Sequence, residues 1–343
     1  MFVGAYVSLV LFMVVYCARP EDWIPGIAIV PLAKIAGLLA LLGLIFSLGH
    51  FRFSLPREVI FLILLVGQLT LAGLFSPVWR GGAVMQALDF AKVVLIVVVM
   101  FAAVNTPTRL RRLIFVQAAC VAIIAPVSLW KGRMAIGRLE GALGAYYADP
   151  NYLALAIIIA LPLCLALLFL SRSVLQKIVW ALAMLVMLYT VFATGSRGGF
   201  VALIVAAAVF LWEFAIQGRR RYLLVLAALA GTVLVMSSGG MVIGRLMGTF
   251  NEQKDIDASY ASAESRRTLL LRSLVVTKEH PLFGVGAGNF EQVSGNWHVT
   301  HNSFTEMSAE GGIPALILYV LILWSGFKNL MAAKRLARGR KES

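Results

Sequence analysis

Residues 152–171 read YLALAIIIALPLCLALLFLS, and none of these twenty side chains carries a charge. The hydrocarbon core of a bilayer is about 30 Å thick, and a helix needs about 20 apolar residues to cross it. This stretch therefore predicts a membrane-spanning helix. Its apolar residues are continuous rather than alternating with polar ones, which excludes a strand of a transmembrane β-barrel.

The rest of the chain has a similar composition. Hydrophobic residues make up 61% of the 343 residues and charged residues only 13%, with a mean hydropathy of +0.90. An average soluble domain has about 45–50% apolar and about 25% charged residues. These values exclude a water-soluble globular protein and an intrinsically disordered one. The three cysteines lie inside apolar runs, so a disulfide scaffold is excluded as well.

Further apolar stretches along the chain are long enough to span the membrane. We place ten of them at residues 2–17, 27–47, 59–75, 83–104, 113–130, 152–171, 177–194, 199–217, 222–238 and 302–326. The first has neither a basic segment before it nor a small-residue cleavage site after it, so we expect a retained helix rather than a signal peptide. The predicted fold is an all-α polytopic membrane protein of about ten helices.

Basic residues are distributed unequally between the two sides of this predicted topology. The loops after even-numbered stretches, together with the C-terminal tail, hold 16 Lys and Arg residues, whereas the short loops on the other side hold six. Positive residues mark the cytoplasmic side, so both termini are predicted to be cytoplasmic. The net charge of +14 then reflects topology and attraction to lipid headgroups, and we expect membrane lipids rather than nucleic acid as partners.

Two predicted outer segments are longer than a turn, at about 131–150 and about 239–300. In the second, the apolar spacing over 264–279 predicts a short amphipathic helix on the membrane surface. We expect the glycines that follow Pro281 to form a flexible loop. The predicted organisation is an N-terminal set of membrane helices (1–144), a catalytic region (145–326, including the outer loop 239–300) and a basic cytoplasmic tail (327–343).

The sequence GSRGG at 195–199 joins two apolar helices on the predicted outer side. Glycines permit a tight turn, and the N-terminus of the next helix presents free N–H groups and a positive dipole end. With Arg197, this is a plausible phosphate-binding turn. An arginine that reaches a lipid headgroup explains the residue about as well, although membrane topology does not call for a positive charge on that side.

Two aspartate motifs have simpler structural interpretations. Asp149 before Pro150 and Asn151 is a standard helix start, and a substrate contact by Asp149 would be additional. Asp255 and Asp257 resemble a metal-binding pair, but their polar surroundings at 251–259 favour a solvated loop.

The last predicted span opens with HNSFTE at 301–306. Ser303 and Glu306 form a capping-box pattern, which predicts a helix start at Ser303. His301 would then lie just outside the membrane beside a positive helix end, where a neutral imidazole can accept a proton. An incidental interfacial histidine is the common alternative.

Acidic residues inside predicted spans are functional candidates by default, which applies to Glu306 and Glu310. Asp89 and Lys92 are also intramembrane charges. Their spacing permits mutual pairing, and we expect a structural ion pair.

Several motifs in this chain, taken in order, carry a family resemblance. They are DPN at 149–151, TGSRGG at 194–199, SR at 265–266, HPLFGVGAGNF at 280–290, HN at 301–302 and EGG at 310–312. As an ordered set over roughly residues 145–326, they resemble the O-antigen ligase and polymerase family of bacterial inner-membrane proteins.

The resemblance implies a membrane-embedded glycosyltransferase that moves a glycan from undecaprenyl diphosphate to an acceptor hydroxyl on the outer (periplasmic) face. It implies neither a metal nor another cofactor, and no nucleotide sugar. Arg197 and Arg266 would hold the diphosphate, with Arg267 as the alternative for the second role, and His301 would act as the base. Asp149 and Asn302 complete the predicted substrate-binding residues.

The acceptor is a lipid or a glycan, and this choice separates two related activities. A ligase attaches the glycan to a lipid or another acceptor, whereas a polymerase uses the same chemistry with a growing glycan. A small-anion transporter is a third possibility. Transporters usually show discontinuous helices and paired charges at the midplane, but the motifs here cluster at the outer rim, which favours an enzyme.

Overall fold

The computed structural model describes residues 3–24, 26–27, 30–46, 55–135, 138–141, 147–218, 221–237, 253–295 and 297–342. The described chain is predominantly helical. The helices are α1 (Val3–Ala18), α2 (Pro20–Trp23), α3 (Leu32–Ile45), α4 (Arg57–Leu74), α5 (Arg80–Ala103), α6 (Pro107–Lys131), α7 (Pro150–Leu170), α8 (Val174–Thr194), α9 (Arg197–Phe210, continued by a π-helical turn Leu211–Ile216), α10 (Tyr222–Ser237), α11 (Gln253–Glu279), α12 (Phe290–Val293) and α13 (Ser303–Glu342). Two short strands, β1 (Arg133–Ala135) and β2 (Arg138–Glu140), form an antiparallel hairpin.

Within the described ranges, eight helices are long and apolar enough to cross a membrane, which confirms the all-α polytopic fold. Two of the ten predicted stretches are shorter helices in the described residues. The stretches at 27–47 and 222–238 correspond to α3 and α10, which are 14 and 16 residues long. The start of α3 is delayed by Pro31, because proline lacks an N–H group and favours the first position of a helix over its interior.

The chain divides into two compact units. The first unit comprises Met1–Leu44 and Ala103–Ile256, and the second comprises Ile45–Ala102 and Asp257–Ser343. Each structural unit combines two separate segments of the chain, whereas the boundaries predicted at 144 and 326 divide the chain into consecutive regions by function. The functional division stays a prediction.

Helix α7 forms the centre of the first unit. It packs against α6, α8 and α9, and α1 packs against α6. Leu153, Ile157 and Cys164 of α7 are fully buried, together with Ile124 of α6 and Met187 of α8. A helix that is apolar on all sides is suited to such a central position.

In the second unit, α4 packs along α13, and α5 follows α4 after a short turn. The helices α4 and α5 approach closely at Gly73, where an added Cβ would lie 2.9 Å from the backbone nitrogen of Val84. Asp89 and Lys92 of α5 form the expected ion pair, with 2.5 Å between Oδ1 and Nζ.

The last predicted span is not a straight helix. Gly312 has a φ of 77°, which breaks α13 into a short arm (303–311) and a long arm (313–342). Residues 303 and 319 would lie about 24 Å apart along a straight helix, yet the Tyr319 hydroxyl donates to the Ser303 hydroxyl at 3.1 Å. The short arm therefore folds back along the long arm.

In the glycine-rich segment 281–289, which we call the glycine loop, residues 284–287 and 289 are buried, whereas the sequence predicts a flexible loop. Its backbone pairs with the helix break. The N–H groups of Val285 and Gly286 donate to the carbonyls of Ala309 and Glu310, each at 2.9 Å. The N–H of Ile313 donates to Pro281 at 2.8 Å. The loop and the break thus satisfy each other's backbone groups, as a membrane protein requires.

Side chains of the second unit complete this arrangement. The Glu310 carboxylate accepts from the N–H groups of Gly288 and Phe290, at 2.8 and 3.2 Å. The Gln68 amide donates to the carbonyls of Leu282 and Gly311, both at 2.8 Å. Glu310, a functional candidate by default in the sequence, therefore has a structural role.

Helix α11 is longer than the predicted amphipathic helix, because it begins at Gln253 rather than near Glu264. The predicted solvated loop at 251–259 is thus wrong from residue 253 onward. The side chains of Asp255 and Asp257 lie outside the described part of the molecule.

Candidate active site

The turn between α8 and α9 has the tight geometry that its glycines predict. Gly195 ends α8 with a φ of 58°, the left-handed conformation that glycine adopts without strain. Ser196 is the N-cap of α9, and its hydroxyl accepts from the N–H of Gly199 at 3.1 Å. Arg197 is the first residue of α9, and its side chain is exposed.

A second helix start meets this turn. The Ser196 hydroxyl donates to the side-chain oxygen of Asn151, in the first turn of α7, at 2.8 Å. The same oxygen accepts from the guanidinium of Arg138 at 3.0 Å, and Arg138 also donates to the Thr194 carbonyl at 3.1 Å. Arg138, from the β-hairpin, thus links the start of α7 to the end of α8.

We call this group of residues, Arg138, Asp149, Asn151, Ser196 and Arg197, the basic corner. It brings together the N-termini of α7 and α9, whose dipoles favour an anion. Two guanidinium groups add to that potential, and one carboxylate reduces it. Arg138 has no role in the sequence prediction, because only the folded hairpin brings it to the turn.

Asp149 is the N-cap of α7, as predicted. Its carboxylate accepts from the N–H groups of Asn151 and Tyr152, at 2.6 and 3.3 Å. These hydrogen bonds give Asp149 a structural role as a helix cap. A contact between Asp149 and substrate stays a prediction.

The predicted arginines of the second unit lie on α11. Arg266 is exposed and makes no hydrogen bond or ion pair with any residue that the structure describes. Arg267 is 4.0 Å from the carboxylate of Glu264, and both side chains are exposed. Arg272 instead binds the Val293 carbonyl at 2.9 Å and anchors the segment that leads to His301.

The short arm of α13 begins differently from the predicted capping box. Asn302, not Ser303, is the cap, since its side-chain oxygen accepts from the N–H groups of Phe304 and Thr305 at 3.0 and 3.4 Å. The Glu306 carboxylate accepts from the Thr300 hydroxyl at 3.4 Å rather than closing a box. Asn302 therefore has a structural role beside its predicted one.

His301 directly precedes this cap. It is exposed and has a φ of 55°, a left-handed conformation that is uncommon for a residue with a side chain. Because the short arm folds back, His301 lies near the flank of the long arm rather than beyond the end of a straight span. Such strained residues are found preferentially at functional sites.

The predicted residues therefore fall into two groups. Arg197 and Asp149 belong to the basic corner of the first unit, while Arg266, Arg267, His301 and Asn302 belong to the second unit. Within the second unit, His301 and Asn302 are adjacent at the start of the short arm, and the two arginines are adjacent on α11.

The fold and composition define a multi-pass helical membrane protein. Residues 182–320 match the family model described as O-antigen ligase, so this part of the chain is similar to that family. The matched region contains Arg197, Arg266, Arg267, His301 and Asn302. No curated protein and no solved structure shows a significant match to the chain.

Proposed function

We propose that this protein transfers a glycan from undecaprenyl diphosphate to an acceptor hydroxyl on the outer face of the bacterial inner membrane. The observation that carries the proposal is the basic corner. Two helix N-termini and two arginines meet there, and such a group suits the diphosphate of a lipid-linked donor. The reaction proposed uses neither a metal ion nor a nucleotide sugar.

In this reaction the bond between the sugar's anomeric carbon and the diphosphate oxygen breaks. Negative charge then develops on the leaving diphosphate. Arginines stabilise that charge most strongly when their planar forks bind two oxygens at once. We assign this role to Arg197 and Arg266, with Arg267 as the alternative to Arg266.

The acceptor hydroxyl supplies the electron pair for the new glycosidic bond and must lose its proton. We assign the proton to the imidazole of His301, which would act as general base. No residue is proposed as a covalent nucleophile, so direct displacement inverts the anomeric centre. The products are the glycosylated acceptor and undecaprenyl diphosphate.

The test is transfer in vitro with the purified full-length protein, a lipid-linked glycan donor and an acceptor. We expect His301→Ala to lower turnover by at least about a hundredfold, because general-base catalysis contributes about 10²–10⁴-fold. Donor binding should change little, since that affinity is assigned to the arginines.

The matched control is His298→Ala, three residues earlier in the same exposed segment. We expect this variant to keep substantial activity. Near-normal turnover in His301→Ala, or an equal loss in both variants, would overturn the assignment of the base.

The glycan profile of a deletion strain distinguishes the two forms of the activity. Loss of a ligase leaves lipid-linked polymer, whereas loss of a polymerase leaves single lipid-linked units. We propose the ligase and therefore expect lipid-linked polymer to accumulate.

A further inference from the structure

A groove of 1010 Å³ opens on the first unit, at the end of the helices opposite to the basic corner. It lies between the start of α6, the end of α7 and the start of α8. Its volume is at the upper end of the range for ligand pockets, about 300–1,000 Å³.

The wall of the groove is apolar. Trp180 packs edge-on against Phe115, with 5.7 Å between the ring centroids, and forms part of this wall. Small side chains leave the space open, among them Ala122 and Ala183. A wall of this kind suits a hydrocarbon chain and offers little to a polar solute.

One end of the groove is strongly basic. Arg111, Arg112 and Arg172 line it, and all three side chains are exposed. None of the three forms a hydrogen bond or ion pair within the described part of the chain.

The helix ends at this position add to the positive potential. Helix α8 starts at the groove and α6 starts one turn before it, and neither has an acidic residue in its first turn. The Thr106 hydroxyl caps α6 by accepting from the N–H of Arg109 at 3.3 Å. The side chain of Ser173, the N-cap of α8, accepts no hydrogen bond from the helix. Free N–H groups and arginines near two helix N-termini favour an anionic ligand.

We propose that this groove binds an anionic diacyl phospholipid. The phosphate would lie among Arg111, Arg112 and Arg172, and an acyl chain would lie along Phe115 and Trp180. The charge at one end and the apolar wall beyond it match the two parts of such a lipid, and basic pockets between membrane helices bind anionic headgroups. The inference does not depend on the proposed glycan transfer.

Native mass spectrometry of the full-length protein in detergent tests this directly. The probes are palmitoyl-oleoyl phosphatidylglycerol and the phosphatidylcholine with the same chains. We expect the anionic lipid to bind at least about tenfold more tightly, as three basic residues near the phosphate imply. Replacement of Arg111, Arg112 and Arg172 by Gln should abolish this preference.

Matched variants distinguish binding in the groove from the effects of basic residues elsewhere and of added hydrophobic bulk. Replacement of Arg221, Lys328 and Arg335 by Gln removes three basic residues outside the groove and should leave the preference intact. Ala183→Phe fills the groove and should weaken phosphatidylglycerol binding. Leu182→Phe changes a neighbouring exposed position that does not line the groove, and binding should be unchanged.

Quenching of Trp180 fluorescence tests whether lipid acyl chains reach the groove in the wild-type protein. Phosphatidylglycerol with brominated acyl chains should quench the wild type more than Trp180→Phe, because Trp180 lines the wall. Three results would overturn the proposal. They are equal affinity for the two lipids, a retained preference in the groove arginine variant, and displacement of phosphatidylglycerol by a tenfold lower concentration of undecaprenyl phosphate.

Discussion

Arg197 is the first residue of α9 and so lies at the positive end of that helix. The N-terminus of a helix is the positive end of its dipole, so a cation in the first turn is destabilising there. Arg138 adds a second guanidinium within the same corner. An anion bound at this corner offsets both effects, which is the physical basis for assigning a diphosphate to it.

The planar shape of the Arg197 side chain can be tested separately from its charge. Arg197→Lys keeps the charge but loses the planar fork that can bind two phosphate oxygens. We expect glycan transfer to fall by at least about tenfold, as the loss of one bidentate charged contact implies. The measurement is transfer in vitro at saturating acceptor.

Arg133→Lys is the matched control for this prediction. Arg133 is a largely exposed arginine of the same hairpin region and pairs with Glu140 at 2.6 Å. A lysine can keep this exposed ion pair, so activity should be unchanged. Wild-type transfer by Arg197→Lys would mean that Arg197 only contacts lipid headgroups.

The sequence predicts local features of this site but not its distant contacts. Gly195, Ser196 and Asp149 have the predicted turn and cap roles because those roles depend on neighbouring residues. Arg138 is missed because its partners lie 13 and 56 positions further along the chain. Asn302 is missed as the cap because Ser303 also fits a cap pattern and the pattern alone does not separate adjacent candidates.

Among the elements, α13 differs most from its prediction. Hydropathy continues across Gly311 and Gly312, so the stretch at 302–326 resembles a single span. The signal for a break is the Gly-Gly-Ile-Pro sequence ending at Pro314, since glycine and proline both weaken a helix interior. The glycine loop is likewise predicted as flexible, because its partners at Ala309 and Glu310 become visible only in the fold.

The prediction for this element concerns Gly312. Alanine at this position would have a φ near 77°, and its Cβ would lie 2.4 Å from the Leu282 carbonyl. A positive φ combined with the ψ of 176° at this position is a conformation that essentially only glycine adopts, and it costs a residue with a side chain about 1–3 kcal/mol. We expect Gly312→Ala to lower the midpoint of thermal unfolding in detergent.

Gly326→Ala serves as the control, because nothing lies within 4 Å of an added Cβ there. Alanine favours a helix interior over glycine by about 1 kcal/mol. This variant should therefore unfold at the same or a slightly higher temperature. Equal stability of the two variants would contradict a break at Gly312.

For the whole molecule, the fold class follows from hydropathy because a membrane helix must satisfy its own backbone. Eight of the ten predicted spans are long enough to cross the membrane, within the described residues. The division into two units is not predictable in the same way, since it depends on packing between separate segments of the chain.

The predicted topology places Glu279 and Arg335 on opposite sides of the membrane. In a background without the native cysteines, Glu279→Cys should react with an impermeant thiol reagent added to intact cells. Arg335→Cys should react only after the cells are permeabilised, because basic residues concentrate on the cytoplasmic side. The measurement is the extent of labelling of each variant.

Both replaced side chains are exposed, so access to the reagent depends on the side of the membrane. Labelling of Arg335→Cys alone in intact cells would contradict the predicted topology. It would also contradict glycan transfer on the outer face.

The hydrogen bonds of Gln68 join parts of the chain that are synthesised at different times. Gln68 leaves the ribosome early, whereas Leu282 and Gly311 follow 214 and 243 positions later. The segment Ala103–Ile256 of the first unit is translated in between. The first unit can therefore assemble during synthesis, before the two carbonyls that accept from the Gln68 amide have been translated. Release of the last helix from the translocon is the step that completes the second unit.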